Sequence, residues 1–192
     1  MKLLSLFVIL FLSLESRAQS SDISSMFEAQ MGYGFAIIKN PTDAEYSGIA
    51  LRGLYGYSIY NGEASNLLIT ANYKFSVMDN TSNDSTQTQE ATFYGPGVGF
   101  MYRAAPLTFG VDYNFMKVNH KSQGTFTTES KQSFKTISAY VEYSSSFDTA
   151  ELGFTLLGEY GTIEKSETGM NQDQKFQNLA AFLHFKYYFG LF

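Results

Sequence analysis

The chain ends on "AAFLHFKYYFGLF", residues 180–192, a stretch with an apolar side chain at every second position. Its odd-numbered positions are all apolar, whereas its even-numbered positions include His184, Lys186 and Gly190. Because successive side chains of a β-strand point to opposite faces, this period of two predicts a strand with one apolar face and one mixed face.

The same alternation recurs along the chain and predicts eight strands, at 26–38, 46–60, 66–78, 91–103, 107–118, 133–145, 149–163 and 177–192. The connections after strands 2, 4 and 6 are short, and three of the others, here called the long loops, are long and polar, at 79–90, 120–132 and 164–176. Short turns at one rim, long loops at the other and an even strand number are typical of a bacterial outer-membrane barrel. The predicted fold is all-β, an eight-stranded antiparallel up-and-down transmembrane β-barrel.

The N-terminal residues 1–18 have the order of a secretory signal peptide. Lys2 precedes an apolar run over 3–14, and the small residues that follow end at Ala18, where we expect cleavage. The apolar run is too short for a membrane-spanning helix, which takes about 20 residues. We therefore predict a signal peptide over 1–18 and one outer-membrane barrel domain over 19–192.

Composition narrows the class of partner and of cofactor. Removal of Lys2, Glu15 and Arg17 with the signal peptide leaves 11 basic and 17 acidic residues, a net charge of −6. This balance argues against a nucleic-acid partner, because nucleic acids favour a basic face. The absence of cysteine excludes disulfides and thiolate metal sites, and no His, Asp or Glu cluster has metal-ligand spacing along the sequence. We therefore predict no metal and no cofactor.

The two faces of the strands distinguish a membrane barrel from a secreted, water-soluble barrel. A lumen of eight strands is just wide enough for side chains to fill it, so small residues fit inside and bulky rings fit outside, against lipid. The strand face that carries the small residues also carries nearly equal numbers of acidic and basic residues. Buried charges are tolerated only when they are paired and hydrogen-bonded. The predicted lumen charge network consists of Glu28, Arg52, Lys74, Arg103, Asp112, Glu142, Glu151, Glu159, His184 and Lys186.

On these features the chain resembles the small eight-stranded outer-membrane barrels of the OmpX/Ail and OmpA-transmembrane type. The resemblance covers 26–192 and rests on strand number, loop asymmetry and the aromatic final strand. It implies a place in the bacterial outer membrane beside lipopolysaccharide. It also implies that the barrel-assembly machinery recognises the final strand through Tyr188 and Phe192. One departure is that the apolar parity of that strand is in phase with Leu191.

One short motif raises the question of catalysis. "NHKSQG" contains His120 and Ser122, and lipid A deacylases of the PagL type use a His-x-Ser pair with a glutamate on a barrel strand. Neither Glu129 nor Glu142 has the spacing that family implies, and Ser and Thr are frequent in this loop. We interpret the motif as an ordinary solvated loop and predict that the protein is not an enzyme.

The glycines of "GPGVG" (95–99) lie on the lumen parity of the fourth predicted strand. They lack the strand-to-helix context and the following lysine of a phosphate-binding loop. We expect them instead to leave room inside the lumen for Phe93, Tyr140 or Arg52.

The predicted role is envelope-structural or surface-interacting, through the long loops, because loops carry function more often than the scaffold does. A second hypothesis is a small ion- or solute-conducting channel. Its gate would be a rearrangement of lumen ion pairs that join Arg52 or Lys74 to Glu142 or Glu159. A third is a lipid A-modifying enzyme.

Overall fold

The computed structural model describes residues 25–40, 42–62, 65–81, 88–123, 128–147, 149–166 and 175–189. They form a closed antiparallel barrel in which each strand pairs with its sequence neighbours and the last strand pairs with the first. The strands are β1 (Ser25–Asn40), β2 (Thr42–Asn61), β3 (Asn66–Asn80), β4 (Thr88–Ala104), β5 (Leu107–Gln123), β6 (Thr128–Phe147), β7 (Ala150–Ser166) and β8 (Lys175–Phe189). No helix among the described residues is long and apolar enough to cross a membrane. The eight-stranded up-and-down prediction is confirmed.

The strands extend further into the predicted loops than the sequence pattern indicated. In the predicted loop 120–132, β5 continues to Gln123 and β6 already begins at Thr128. Residues 39–40 and 42–45, between the first two predicted strands, are also strand, and Asn40 pairs with Thr42 in register. The alternation of apolar and polar residues was too weak to show these extensions, because both faces are polar beyond the lipid.

The exposed fractions of neighbouring side chains separate an outer and an inner face. On β8, Leu183 is 60% exposed and Phe185 is 45% exposed, whereas His184 is 2% exposed and Lys186 is fully buried. The same alternation runs along β3, where every second residue from Asn66 to Met78 is buried. The bulky apolar parity therefore faces outward and the mixed parity fills the lumen.

The glycines of the fourth strand make room for different side chains from those we predicted. A Cβ at Gly97 would overlap the amide groups of Asn114 and Asn72, and one at Gly95 would overlap the backbone of β5. Tyr140 is accommodated instead by Gly110, where an added Cβ would overlap its ring. The prediction was wrong because cross-strand register, which brings Gly110 opposite Tyr140, cannot be read from the glycine-rich segment itself.

Two clusters of buried apolar side chains share the lumen with the charges. One lies around mid-barrel and toward the short-turn rim, and consists of Met26, Ala50, Leu54, Leu68, Met101, Tyr140, Leu157, Ala180, Phe182 and Tyr188. The other, here called the lid, lies at the long-loop end and consists of Ala36, Ile38, Tyr46, Met78, Ala91, Phe93, Met116, Val118, Phe134 and Phe176. Charged and apolar side chains are therefore mixed over most of the lumen, whereas its outer end is apolar.

Candidate functional site

The lumen brings together side chains from all eight strands. All ten residues of the predicted charge network are buried, and the alternation of each strand directs them inward. Four permanent cations meet five carboxylates there. The ion pairs are Arg52–Asp112, Lys74–Glu159, Arg103–Glu151 and Lys186–Glu142.

The Arg52–Asp112 pair joins β2 to β5 across the lumen. Arg52 Nη2 donates to Asp112 Oδ2 at 2.6 Å, and both side chains are fully buried. The guanidinium also lies 4.2 Å from the centre of the Tyr140 ring, a cation–π contact. Arg52 therefore pairs with neither of the glutamates named in the channel hypothesis, whereas Lys74 does pair with Glu159, at 3.1 Å.

The pairs nearer the short-turn rim are tied to the last strand. Arg103 Nε donates to Glu151 at 3.1 Å, and the hydroxyl of Tyr188 donates to the other oxygen of that carboxylate at 2.9 Å. Lys186 donates to Glu142. Tyr188, which the resemblance assigned to assembly recognition, thus has its side chain inside the lumen. Phe192 lies outside the described residues, and the assembly role of both stays a prediction.

His184 and Glu28 lie together beside Glu142. His184 Nε2 lies 2.9 Å from Ser144 Oγ, and its Nδ1 lies 2.7 Å from Thr155 Oγ1 and 3.8 Å from Glu28 Oε1. One ligand atom from each of Glu28, Glu142 and His184 lies within 4.8 Å of the others. Sequence spacing missed this cluster because its members come from β1, β6 and β8 and meet only when the barrel closes.

The lid closes the lumen at the long-loop end with packed aromatic rings. The Phe134 and Phe176 rings lie 4.8 Å apart, and Phe93 lies 5.4 Å from Phe176 and 6.0 Å from Tyr46. A cavity of about 20 Å³ lies below, lined in part by Lys74, and has room for about one water molecule. The sequence carried part of the signal for the lid, because Phe93 and Phe134 lie on the lumen face of predicted strands next to long loops. Phe176 was not predicted, since it falls within the predicted loop 164–176.

His120, the first residue of the candidate catalytic motif, lies beside the lid. Its Nδ1 is 3.3 Å from the hydroxyl of Tyr46, and the two rings are 5.8 Å apart. The side chain of Ser122 lies outside the described residues. Among the described residues, His120 thus contacts Tyr46 and Gln132.

The lysines of the long-loop end are unevenly distributed among the strands. Apart from the charge network, the mature chain's basic residues are all lysines and all lie on β1 and β5–β8, namely Lys39, Lys117, Lys121, Lys131, Lys135, Lys165 and Lys175. The charged side chains described on the outward parity of β2, β3 and β4 are acidic, namely Glu45, Asp79 and Glu90. The lysines outside the charge network are thus absent from β2–β4, although β6 and β7 also carry Glu129 and Glu164.

Four of these lysines form what we call the basic face, Lys117, Lys121, Lys131 and Lys135 on β5 and β6. Lys117 is paired in register with Ser133, so it lies diagonally between Lys131 and Lys135, and Lys131 lies diagonally between Lys117 and Lys121. Diagonal neighbours in an antiparallel sheet are about 7–8 Å apart. The basic face begins directly after outward apolar residues, so it lies where the strands leave the lipid.

No protein-family model matches the chain. No curated protein matches it either. Several solved structures are similar to the chain. Ail, the attachment invasion locus protein of Yersinia pestis, solved in complex with the heparin analogue sucrose octasulfate, has a TM-score of 0.59 and 10% identity, over 86% of this chain and 100% of that one. Neisserial surface protein A has a TM-score of 0.58 and 15% identity, over 85% and 97%.

These likenesses confirm the fold, that of the small eight-stranded outer-membrane barrels of the OmpX/Ail type. They also support the predicted outer-membrane location, to which the outward apolar face is suited. The outer membrane protease OmpT of Escherichia coli matches at a TM-score of 0.47 and 9% identity, over 92% of this chain and 100% of that one. That likeness carries no argument about activity.

Proposed function

We propose that this chain is a non-enzymatic outer-membrane barrel whose basic face binds sulfate- or phosphate-bearing saccharides at the cell surface. The observation that carries the proposal is the diagonal row of lysines along the β5–β6 hairpin, with the exposed Lys117 and Lys131 at its centre. Lys121, at its outer end, is opposite Glu129 in register. Like charges that are close neighbours in a sheet destabilise it. A polyanionic ligand spanning the row converts that repulsion into attraction.

The position of the basic face indicates which ligands it meets. Phe115 on β5 and Ile137 on β6 are 49% and 58% exposed, and the lysines follow them toward the long loops. That level is the headgroup region of the outer leaflet, where phosphate-bearing glycolipid is the first available anion. A lysine at an anionic membrane surface contributes about 1 kcal/mol to binding.

A related protein supports the same chemistry. Ail, which shares this fold, was solved with a sulfated sugar. Sulfate and phosphate groups on saccharides offer lysine the same target, a compact anion with several acceptor oxygens. The expected ligand is therefore a saccharide that carries sulfate or phosphate groups. The experiment below distinguishes a membrane glycolipid from a soluble polysaccharide.

The test compares two variants of the full chain, folded into uncharged detergent micelles. The first replaces Lys117, Lys131 and Lys135 with Gln, and the control replaces Glu45, Asp79 and Glu90 with Gln, Asn and Gln. One arm measures binding to a heparin-type sulfated polysaccharide, and the other measures binding to vesicles containing phosphorylated lipid A.

We expect the wild type and the control variant, which lacks the three acidic residues, to bind in at least one arm. Their affinity should fall as the salt concentration rises, because salt screens exposed charges. The basic-face variant is expected to lose at least about tenfold in affinity in that arm, since each lost lysine removes about 1 kcal/mol. The arm that binds identifies the source of the ligand. No binding in either arm, or equal losses in both variants, would overturn the proposal.

A further inference from the structure

Glu28 is the unusual charge in the lumen. Among the described residues, the other four lumen carboxylates each contact a lysine or arginine, whereas Glu28 does not. Its side chain is fully buried, and its Oε2 has no hydrogen-bond partner. Lys186 lies opposite Glu28 in the register of β1 and β8, but its ammonium group donates to Glu142. A buried carboxylate that no cation contacts directly is unfavourable, so a further positive partner would stabilise this position.

We propose that Glu28, Glu142 and His184 form a binding site for a divalent transition metal, with Zn²⁺ as the representative ion. Imidazole and carboxylate groups are common zinc ligands. Their ligand atoms already lie within 4.8 Å of one another. Two ligands each about 2.1 Å from a tetrahedral ion lie roughly 3.4 Å apart, so a modest contraction completes the site.

Neighbouring side chains hold these three residues by hydrogen bonds, as the outer partners of metal ligands do. Ser144 Oγ, 2.9 Å from Nε2 of His184, can accept the proton of that nitrogen and leave a lone pair on Nδ1. That lone pair now faces the Thr155 hydroxyl at 2.7 Å, which an ion between Nδ1 and Glu28 would replace. Lys186 holds one oxygen of Glu142, and the other oxygen remains on the side of Glu28. Such outer partners fix the tautomer and orientation of metal-binding side chains.

The centre of the cluster is occupied by a hydrogen-bond donor, the amide group of Gln30. Gln30 Nε2 lies 2.6 Å from Glu28 Oε1, 3.1 Å from Glu142 Oε1 and 3.3 Å from Thr155 Oγ1. An amide nitrogen has two hydrogens, so three oxygens compete for them. The oxygens thus converge on a point that suits a cation, which would occupy it when the Gln30 side chain turns aside.

The burial of the cluster determines how the experiment must be done. All three ligands are at most 2% exposed, so the ion has to enter while the barrel folds. We would fold the denatured full chain into detergent micelles with Zn²⁺ present, dialyse away loose metal, and count zinc per folded barrel by elemental mass spectrometry. Folding in Co²⁺ adds visible absorption bands that report the ligand geometry.

We expect stoichiometric zinc in the wild type and its loss in Glu28→Gln and in His184→Asn. The matched control is His120→Asn, which removes the chain's other histidine and should keep the metal. Ser144→Ala should weaken binding about 10–100-fold, as is typical when an outer partner of a ligand is removed. Absence of zinc in the wild type, or equal zinc in Glu28→Gln and the control, would overturn the proposal.

A measurement on the unmodified chain covers the case in which a lumen variant does not fold. Co²⁺ is paramagnetic and shifts or broadens NMR signals of nearby nuclei, and the mature chain has two histidines, His120 and His184. Cobalt in the site should perturb the ring signals of His184 and leave those of His120 sharp. Perturbation of both rings, or of His120 alone, would place the metal elsewhere and contradict the proposal.

Discussion

The Arg52–Asp112 pair gives the sharpest test of how the lumen is stabilised. We consider Asp112→Ala, which removes the carboxylate and leaves the guanidinium in place. Both side chains are fully buried, and Arg52 Nε already lacks a hydrogen-bond partner. Arg52 also contacts Gln30 at 3.4 Å and the ring of Tyr140 at 4.2 Å, both of which are uncharged. The carboxylates of Glu28 and Glu142 attract it only from a longer distance.

The expected cost follows from leaving a buried charge without its partner. Removing one member of a buried pair costs about 3–5 kcal/mol. Replacing both members with apolar side chains of similar volume, as in Arg52→Met with Asp112→Leu, is often close to neutral. We therefore expect the double variant to be more stable than Asp112→Ala alone. The exposed Lys175→Ala should change the free energy of unfolding by at most about 0.5 kcal/mol.

The assay is urea unfolding of the full chain in lipid vesicles. Because the chain has no tryptophan, the folded fraction is followed by circular dichroism and by the gel mobility of unheated samples. The reasoning would be refuted if Asp112→Ala lost less than about 1 kcal/mol, or if the double variant were as unstable as the single one.

Other perturbations probe the remaining parts of the structure. Tyr73→Arg, at an outward position that is 51% exposed, should lower the free energy of unfolding by about 2–4 kcal/mol in vesicles, while Tyr73→Leu has little effect. Gly110→Val should lower the folded yield on refolding, because the added side chain overlaps the Tyr140 ring; a yield equal to wild type would contradict this. Planar-bilayer recordings should show no conductance steps, because ion pairs and the lid fill the lumen, whereas steps would support the channel hypothesis. Mass spectrometry of the mature protein should give an N-terminus at residue 19.

The fold was predictable because a period of two is a local property of the sequence. The outward residues Leu183 and Phe185 and the inward residues His184 and Lys186 are assigned by parity alone. Parity also gave the composition of the lumen, since each strand contributes every second residue to it. Strand ends were less predictable, because the contrast between the faces fades once β5 and β6 leave the lipid.

The partners inside the lumen were not predictable, because they depend on register and on closure of the barrel. Arg52 meets Asp112 on β5, and the cluster of Glu28 and His184 forms only when β8 pairs with β1. The basic face has a similar origin, since Lys117 and Lys131 become neighbours through the pairing of β5 with β6. A sequence gives the face on which a side chain lies but not the residue opposite it.

Spin labelling shows whether the apolar face of the strands lies in lipid while the charged face lies in the filled lumen. Because the chain has no cysteine, single-cysteine variants can be labelled specifically. Labels at Leu183 and Val111, which are 60% and 52% exposed, should collide readily with oxygen dissolved in the bilayer and rarely with a water-soluble nickel complex. A label at Lys175 should show the opposite preference. Labels at Leu183 and Val111 that collide mainly with the nickel complex would mean that these faces lie in water, which would contradict the account.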